Sequence, residues 1–154
     1  MTPGRLASSV GSDNNDRRTR VDMGMMDQKM MMPGMDMMAM QRLIDAASAC
    51  EQACTMCAGS MGMEGMERCS AMCMTCADMS NTMMRMMLRP AGHHMESMMA
   101  MMQACMTMCM ACADECGQHT DMQACMMCAE ACREMASACE AMMASMKTMQ
   151  TATS

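Results

Sequence analysis

The chain has 154 residues, of which 38 are Met and 14 are Cys; it has no Phe, Tyr or Trp, and its net charge is −6. That length supports one domain with one core. The negative balance and the lack of a basic stripe exclude nucleic acid as a partner, and no uncharged apolar run is long enough to span a membrane. Leu, Ile and Val amount to Leu6, Val10, Val21, Leu43, Ile44 and Leu88. A dry interior must therefore be built from Met, Cys and Ala. Met favours helix and fills gaps, but it specifies a single packing poorly.

Residues 1–35 read as an N-terminal arm. It is polar and disordered to about residue 22, then Met-dense through MGMMDQKMMMPGM. Gly24, Pro33 and Gly34 break that stretch, so a short helix and a flexible arm both fit it. Arg17 and Arg18 are not followed by an apolar signal core. The expected location is the cytoplasm, or outside it if the start is a processed end. In a reducing compartment, dense thiols point to metal ligation rather than to disulfides.

Helical signals begin at Asp36, a candidate N-cap. The first run goes from Met37 to Ala58 and ends at the Gly59–Gly65 break. The second goes from Met66 to Leu88 and stops at Arg89-Pro90. The third extends from His93 to Cys116, with Gly117 as its C′ residue. Thr120 to Gln123 reads as a capping box opening a fourth run to about Met149. No strand pattern competes. The expected fold is all-α: an antiparallel up-down-up-down four-helix bundle over residues 36–149, with a short tail at 150–154.

Each run carries a thiol stripe at steps of three and four, the spacing that keeps side chains on one helix face. The stripes are Cys50, Cys54 and Cys57; Cys69, Cys73 and Cys76; Cys105, Cys109, Cys112 and Cys116; and Cys125, Cys128, Cys132 and Cys139. The chain resembles two related helical hairpins. Up-down topology puts all the thiols in the same half of the bundle. The beat continues through Met40 and Leu43 on the first helix, and through Ser80, Met83 and Met87 on the second. It runs through Met95, Met98 and Met102 on the third, and Met142 and Met146 on the fourth, all toward the opposite end. The interior is thus expected to have a thiol half and a thioether half. Met135 fills the beat between Cys132 and Cys139, His93 and His94 lie in the loop at the thioether end, and His119 lies at the other end, solvated or closing a helix. Asp114, Glu115, Glu130 and Glu134 read as wet faces.

Three chemistries compete for such a face. Disulfides within a helix would be strained, because i,i+4 Cβ atoms lie ~5–6 Å apart and a cystine prefers about 3.5–4.5 Å. Zinc and iron–sulfur sites favour cysteines on loops that bend around the metal. Cu(I) is soft, takes thiolate and thioether ligands and suits sites repeated along facing helices. Thiolates bind it tightly once their protons are displaced, whereas neutral thioethers bind it more weakly, so the thioether end is the expected mouth. An iron–sulfur redox protein and a disulfide-stapled bundle remain as alternatives. No catalytic nucleophile with a base beside it, phosphate loop or paired carboxylate is visible, so an enzyme is not expected.

The run from Cys109 to Cys132, C-xx-C-xxx-C, eight residues, then C-xx-C-xxx-C, resembles the bacterial copper storage proteins. The resemblance covers roughly residues 36–147 and is strongest in the third and fourth helices. It implies a four-helix bundle whose lumen binds many Cu(I) ions through Cys109, Cys112, Cys116, Cys125, Cys128, Cys132 and Cys139, and by extension through the other cysteines. It further implies Met and His at an open end, often a homotetramer, and a copper donor or acceptor as partner. Two features depart from the family: Met135 stands where another Cys is common, and the Met content is far higher.

Overall fold

The computed structural model of the chain describes residues 36–60, 62, 65–89 and 91–152. The expectations for the arm at 1–35, for Pro90 and for the last two tail residues lie outside the described residues. Four helices follow in order: α1 (Met37–Gly59), α2 (Glu67–Met87), α3 (Met95–Cys116) and α4 (Gln123–Ala152). Short connections oblige each helix to run antiparallel to the one before it. Every helix packs on its two neighbours in a closed square: α1 on α2 and α4, and α3 on α2 and α4.

Local chemistry sets most of the helix ends. Asp36 caps α1 by accepting the Met38 and Ala39 backbone N–H groups at 3.0 and 3.1 Å. Gly65 (φ 92°) and Gly92 (φ 80°) turn the chain between helices in the left-handed region that glycine adopts without strain. α3 begins at Met95 rather than His93, because the His94 side chain is its N-cap: Nδ1 accepts the Ser97 N–H at 3.3 Å. Gly117 is the C-cap of α3, but its φ is −63°, so it is not the left-handed C′ glycine expected. A Cβ there would lie 2.9 Å from the Ala113 carbonyl oxygen, so close approach is what favours glycine at this position. The capping box at Thr120 does not form: α4 opens at Gln123, where Met126 N–H donates to the Met122 carbonyl at 3.1 Å. At its far end α4 runs on to Ala152, past the expected stop near Met149, since Gln150 and Thr151 include no helix breaker.

The interior has the composition the sequence demands. Met40, Leu43, Met83, Met87, Met102, Met135 and Met142 are fully buried, as are nearly all the thiols. Fully burying a Met side chain stabilises by roughly 1.5–3 kcal/mol, so the thioethers carry much of the hydrophobic drive. Polar contacts across the surface pin the helix register. Arg42 bridges α1 to α4 through Glu134 at 2.9 Å and Ser137 at 3.0 Å. Asn81 of α2 donates to Glu51 of α1 at 2.9 Å, and Arg68 of α2 pairs with Glu115 of α3 at 3.2 Å. Glu115 is therefore half-buried in an ion pair rather than freely solvated, whereas Asp114, Glu130 and Glu134 are exposed as expected. Such exposed pairs contribute about 0.2–1 kcal/mol each, so their role is alignment more than stability.

The cap makes a simple test. Asp36→Ala should destabilise the bundle by about 1 kcal/mol and Asp36→Asn by much less. Denaturant midpoints measure the difference, and equal midpoints for the two variants would refute the capping role.

Candidate metal centre

The thiol stripes meet as two antiparallel ladders. Between α1 and α4, Cys57 Sγ lies 3.6 Å from Cys125, Cys54 lies 3.3 Å from Cys128 and Cys50 lies 3.8 Å from Cys132. Between α2 and α3, Cys69 lies 3.6 Å from Cys116, Cys73 lies 3.9 Å from Cys112 and Cys76 lies 3.5 Å from Cys109. Numbers rise on one helix as they fall on its partner, the signature of antiparallel register. Successive rungs are three or four residues apart, about 5 Å along the axis.

Cross-links join the ladders. Cys76 Sγ is 3.7 Å from both Cys50 and Cys132, and Cys73 is 3.7 Å from Cys128. Three four-thiol groups result, each with all its sulfurs within 4.8 Å of one another: Cys50, Cys54, Cys76, Cys132; Cys54, Cys112, Cys128, Cys132; and Cys57, Cys73, Cys116, Cys128. The last draws one thiol from every helix. Cys54, Cys128 and Cys132 each belong to two groups, so the groups form one continuous cluster. All fourteen cysteines are free thiols, separated by van der Waals distances rather than by the ~2.05 Å of a cystine bond.

Cys105 and Cys139 stand at the edge of this cluster. Cys105 donates to the Met79 carbonyl at 3.7 Å, not to another thiol. The ladder register, continued, brings Ser80 opposite Cys105 and the small Ala47 opposite Met135. Ser80 is fully buried and its hydroxyl has no partner. Beyond this layer the same register opposes Met83 to Met102, Met87 to Met98 and Met40 to Met142, all buried, with Met146 beside them. Met95 is half-buried. The thiol and thioether halves expected from the beat are thus both present, but the thioether end is packed rather than open.

Of the three histidines, His94 is exposed and engaged as a helix cap, with Nδ1 2.8 Å from Ser97 Oγ. His93 is half-buried at the thioether end, and both its ring nitrogens are buried without a partner. His119 closes α3, its N–H donating to the Cys116 carbonyl at 3.0 Å. Its Nε2 is buried without a partner, so the solvated alternative does not hold.

Burial favours the protonated thiol at the edges of the cluster. Removal from water pushes the Cys105 and Cys139 thiols up to about 12, and the Cys57 thiol likewise, with help from Cys125. Burial also raises Cys69. Among the described residues Ser80 is the sole polar or charged residue buried as a whole, so no Lys or Arg is buried with the cluster. A dry lumen of this kind tolerates little net charge, so wholesale ionisation of its thiols needs a cation to take the place of the protons. Separations of 3.3–3.9 Å suit sulfurs sharing one ion. At metal–sulfur bonds near 2.3 Å, three ligands in a plane around an ion lie ~4.0 Å apart.

The geometry agrees with known proteins. The sequence matches the family described as copper storage protein over residues 36–144. The structure resembles the copper storage protein Ccsp from Streptomyces lividans loaded with 10 copper equivalents. The TM-score is 0.70 at 37% identity, over 73% of this chain and 89% of that one. A double histidine-to-alanine mutant of the Streptomyces lividans protein matches at TM-score 0.70 and 36% identity, over 73% and 98% of the two chains. A structure of copper loading to the cytosolic copper storage protein from Streptomyces lividans, with five coppers, matches at TM-score 0.66 and 38% identity, over 70% and 93%. A comparison with curated proteins finds no match. With the family pattern spanning the helical bundle and the thiol ladders lining its interior, the chain belongs to the copper storage protein family.

Proposed function

We propose that the chain stores many Cu(I) ions in its thiol half, that all fourteen cysteines ligate them, and that ions arrive through the thioether end. The observation that carries this reading is the continuous cluster of free, buried thiols. A dry lumen without counter-cations tolerates little net charge. One Cu(I) per thiolate is neutral. A zinc ion closed by four thiolates leaves two uncompensated negative charges at each site, and an iron–sulfur cluster held by four thiolates likewise carries excess negative charge. Shared thiols also suit an ion that accepts low coordination and bridging sulfur. Storage of this kind requires no catalytic group. The free thiols favour work in a reducing cytosol, the compartment named for the five-copper relative.

The thioether end supports an admitting role of a particular kind. Its methionines are buried, so an ion enters by displacing flexible side chains rather than through an open channel. His93, with two unpartnered ring nitrogens, is the best placed imidazole to meet it, while His94 contributes only through the nitrogen not used in capping. Met135, fully buried between Cys132 and Cys139, offers a thioether at the boundary.

Anaerobic Cu(I) titration should fill more than about ten sites per chain, on the expectation of one ion per thiol; one or two would end the storage reading. Replacing the shared Cys54, Cys128 and Cys132 with Ala should remove more than three ions, whereas replacing Cys105 and Cys139 should remove about two; equal losses per thiol would refute the linked cluster. Exchanging Met87, Met98 and Met142 for Leu, a swap costing under about 1.5 kcal/mol each, should slow loading and spare capacity. Unchanged stopped-flow loading rates would remove the admitting role. Protons provide a further check. Since Cys105 and Cys139 hold theirs up to about pH 12, each thiolate formed at neutral pH must release one. Apparent affinity should rise as pH rises from 6 to 8, about tenfold per unit for each proton released, and a flat profile would contradict thiolate ligation.

A further inference from the structure

We propose that five exposed methionines form a belt around the thiol half and act as sacrificial reductants, consuming two-electron oxidants before these reach the buried thiols. Among the described residues the exposed large apolar side chains are all methionine: Met56 (67%), Met74 (58%), Met110 (47%), Met126 (39%) and Met127 (53%), with Met38 apart at the other end. The five share one sequence context. Each lies between the two cysteines of a C-x-x-C step, Met56 on α1, Met74 on α2, Met110 on α3, and Met126 and Met127 on α4. In a helix the two residues inside such a step leave the face that the cysteines occupy. The cysteines of these steps meet across the core, Cys54 with Cys128 at 3.3 Å and Cys76 with Cys109 at 3.5 Å. The methionines therefore encircle the bundle at the level of the thiols.

Other roles fit the belt poorly. Residues on four different helices, each turned outward, do not converge on one ion, and neighbours such as Met126 and Met127 do not face each other. Nor do they form one apolar patch, since they are spread around the bundle on every helix. Scavenging needs only exposure. Thioether oxidation requires no ionisation and the belt sulfurs face solvent, whereas the thiols are buried away from it. With hypochlorous acid, the thioether sulfur gives up two electrons and takes the oxygen atom, the O–Cl bond breaks, chlorine leaves as chloride and the proton passes to water. Hydrogen peroxide reacts in the same sense, leaving water. The resulting sulfoxides are reducible by sulfoxide reductases, so the screen is renewable.

The test uses the full-length apo-protein, so its result does not depend on copper loading. Stepwise hypochlorous acid is added anaerobically, free thiols are counted after denaturation, and sulfoxides are located by peptide mass spectrometry. The comparison is with a variant carrying Met56→Gln, Met74→Gln, Met110→Gln, Met126→Gln and Met127→Gln, and with the corresponding Leu variant should the first misfold. Methionines elsewhere are common to all three proteins. Sulfoxide should appear at the belt before thiols are lost. The dose at which half the thiols are gone should fall by about five equivalents per chain in the variant, one for each thioether removed. A half-loss dose unmoved by the substitutions, or thiol loss preceding belt sulfoxide, overturns the proposal.

Discussion

A thiol in a dry lumen cannot ionise alone. That constraint governs the whole protein. Without copper, low net charge requires most of the buried sulfurs to keep their protons, and one monovalent ion per thiolate would restore the same balance. Any large departure from that ratio leaves charge in a core where, among the described residues, Ser80 is the sole polar residue buried as a whole. The helices meet this constraint by geometry: antiparallel partners carrying cysteines at steps of three and four bring sulfurs to 3.3–3.9 Å along two ladders. A small offset of one helix by a single residue would turn part of a ladder out of the lumen, so register is the structural quantity that function depends on.

Register is also the quantity that a core of this composition defends least well. Met and Cys are small or flexible, and no aromatic side chain locks one helix against the next. Directional contacts at the surface supply what the interior lacks. Arg42 with Glu134 and Ser137, Asn81 with Glu51 and Arg68 with Glu115 each join a different pair of neighbouring helices. Individually they are weak. Spread over three of the four seams, they select one alignment among several that a soft core would accept. Loading adds metal–sulfur bonds between helices, so the filled bundle is held by its cargo as well as by its surface.

Much of this was legible from spacing alone. Stripes such as Cys109, Cys112 and Cys116 declare a helix face, and the position of each stripe within its run, late, early, late, early, declares one shared half. What escaped depends on atoms the spacing does not see. The loop histidine His94 became a cap because its Nδ1 reaches the Ser97 N–H, which shortened α3 by two residues relative to the pattern. Thr120 and Gln123 have capping-box spacing, yet the turn through His119 to Met122 delays the helix past them. Gly117 was chosen for contact with the Ala113 carbonyl rather than for left-handed backbone. Cys105 stands apart from the ladders because the register sets Ser80 opposite it, which the spacing shows; that its thiol turns to the Met79 carbonyl is the tertiary detail. The Met belt did have one: the residues between paired cysteines point away from the lumen, and each helix keeps at least one Met there.

Sulfur therefore appears in three settings in one small bundle, and burial sorts them. Buried thiols near one another form groups that could hold soft cations in exchange for their protons. Buried thioethers beyond the Ser80 layer lack a proton to exchange, so in the proposed route they would bind the same ion more weakly and pass it on. Exposed thioethers have neither a second ligand nor a closed pocket, and for them redox chemistry with the solvent is the dominant option. The abundance of Met, which first reads as packing material, resolves into positions that differ in accessibility more than in chemistry. A Met turned into the lumen at position 135 and a Met turned outward at position 127 share a side chain but not a setting, because helical phase alone decides which one lies beside the thiols and which one faces solvent.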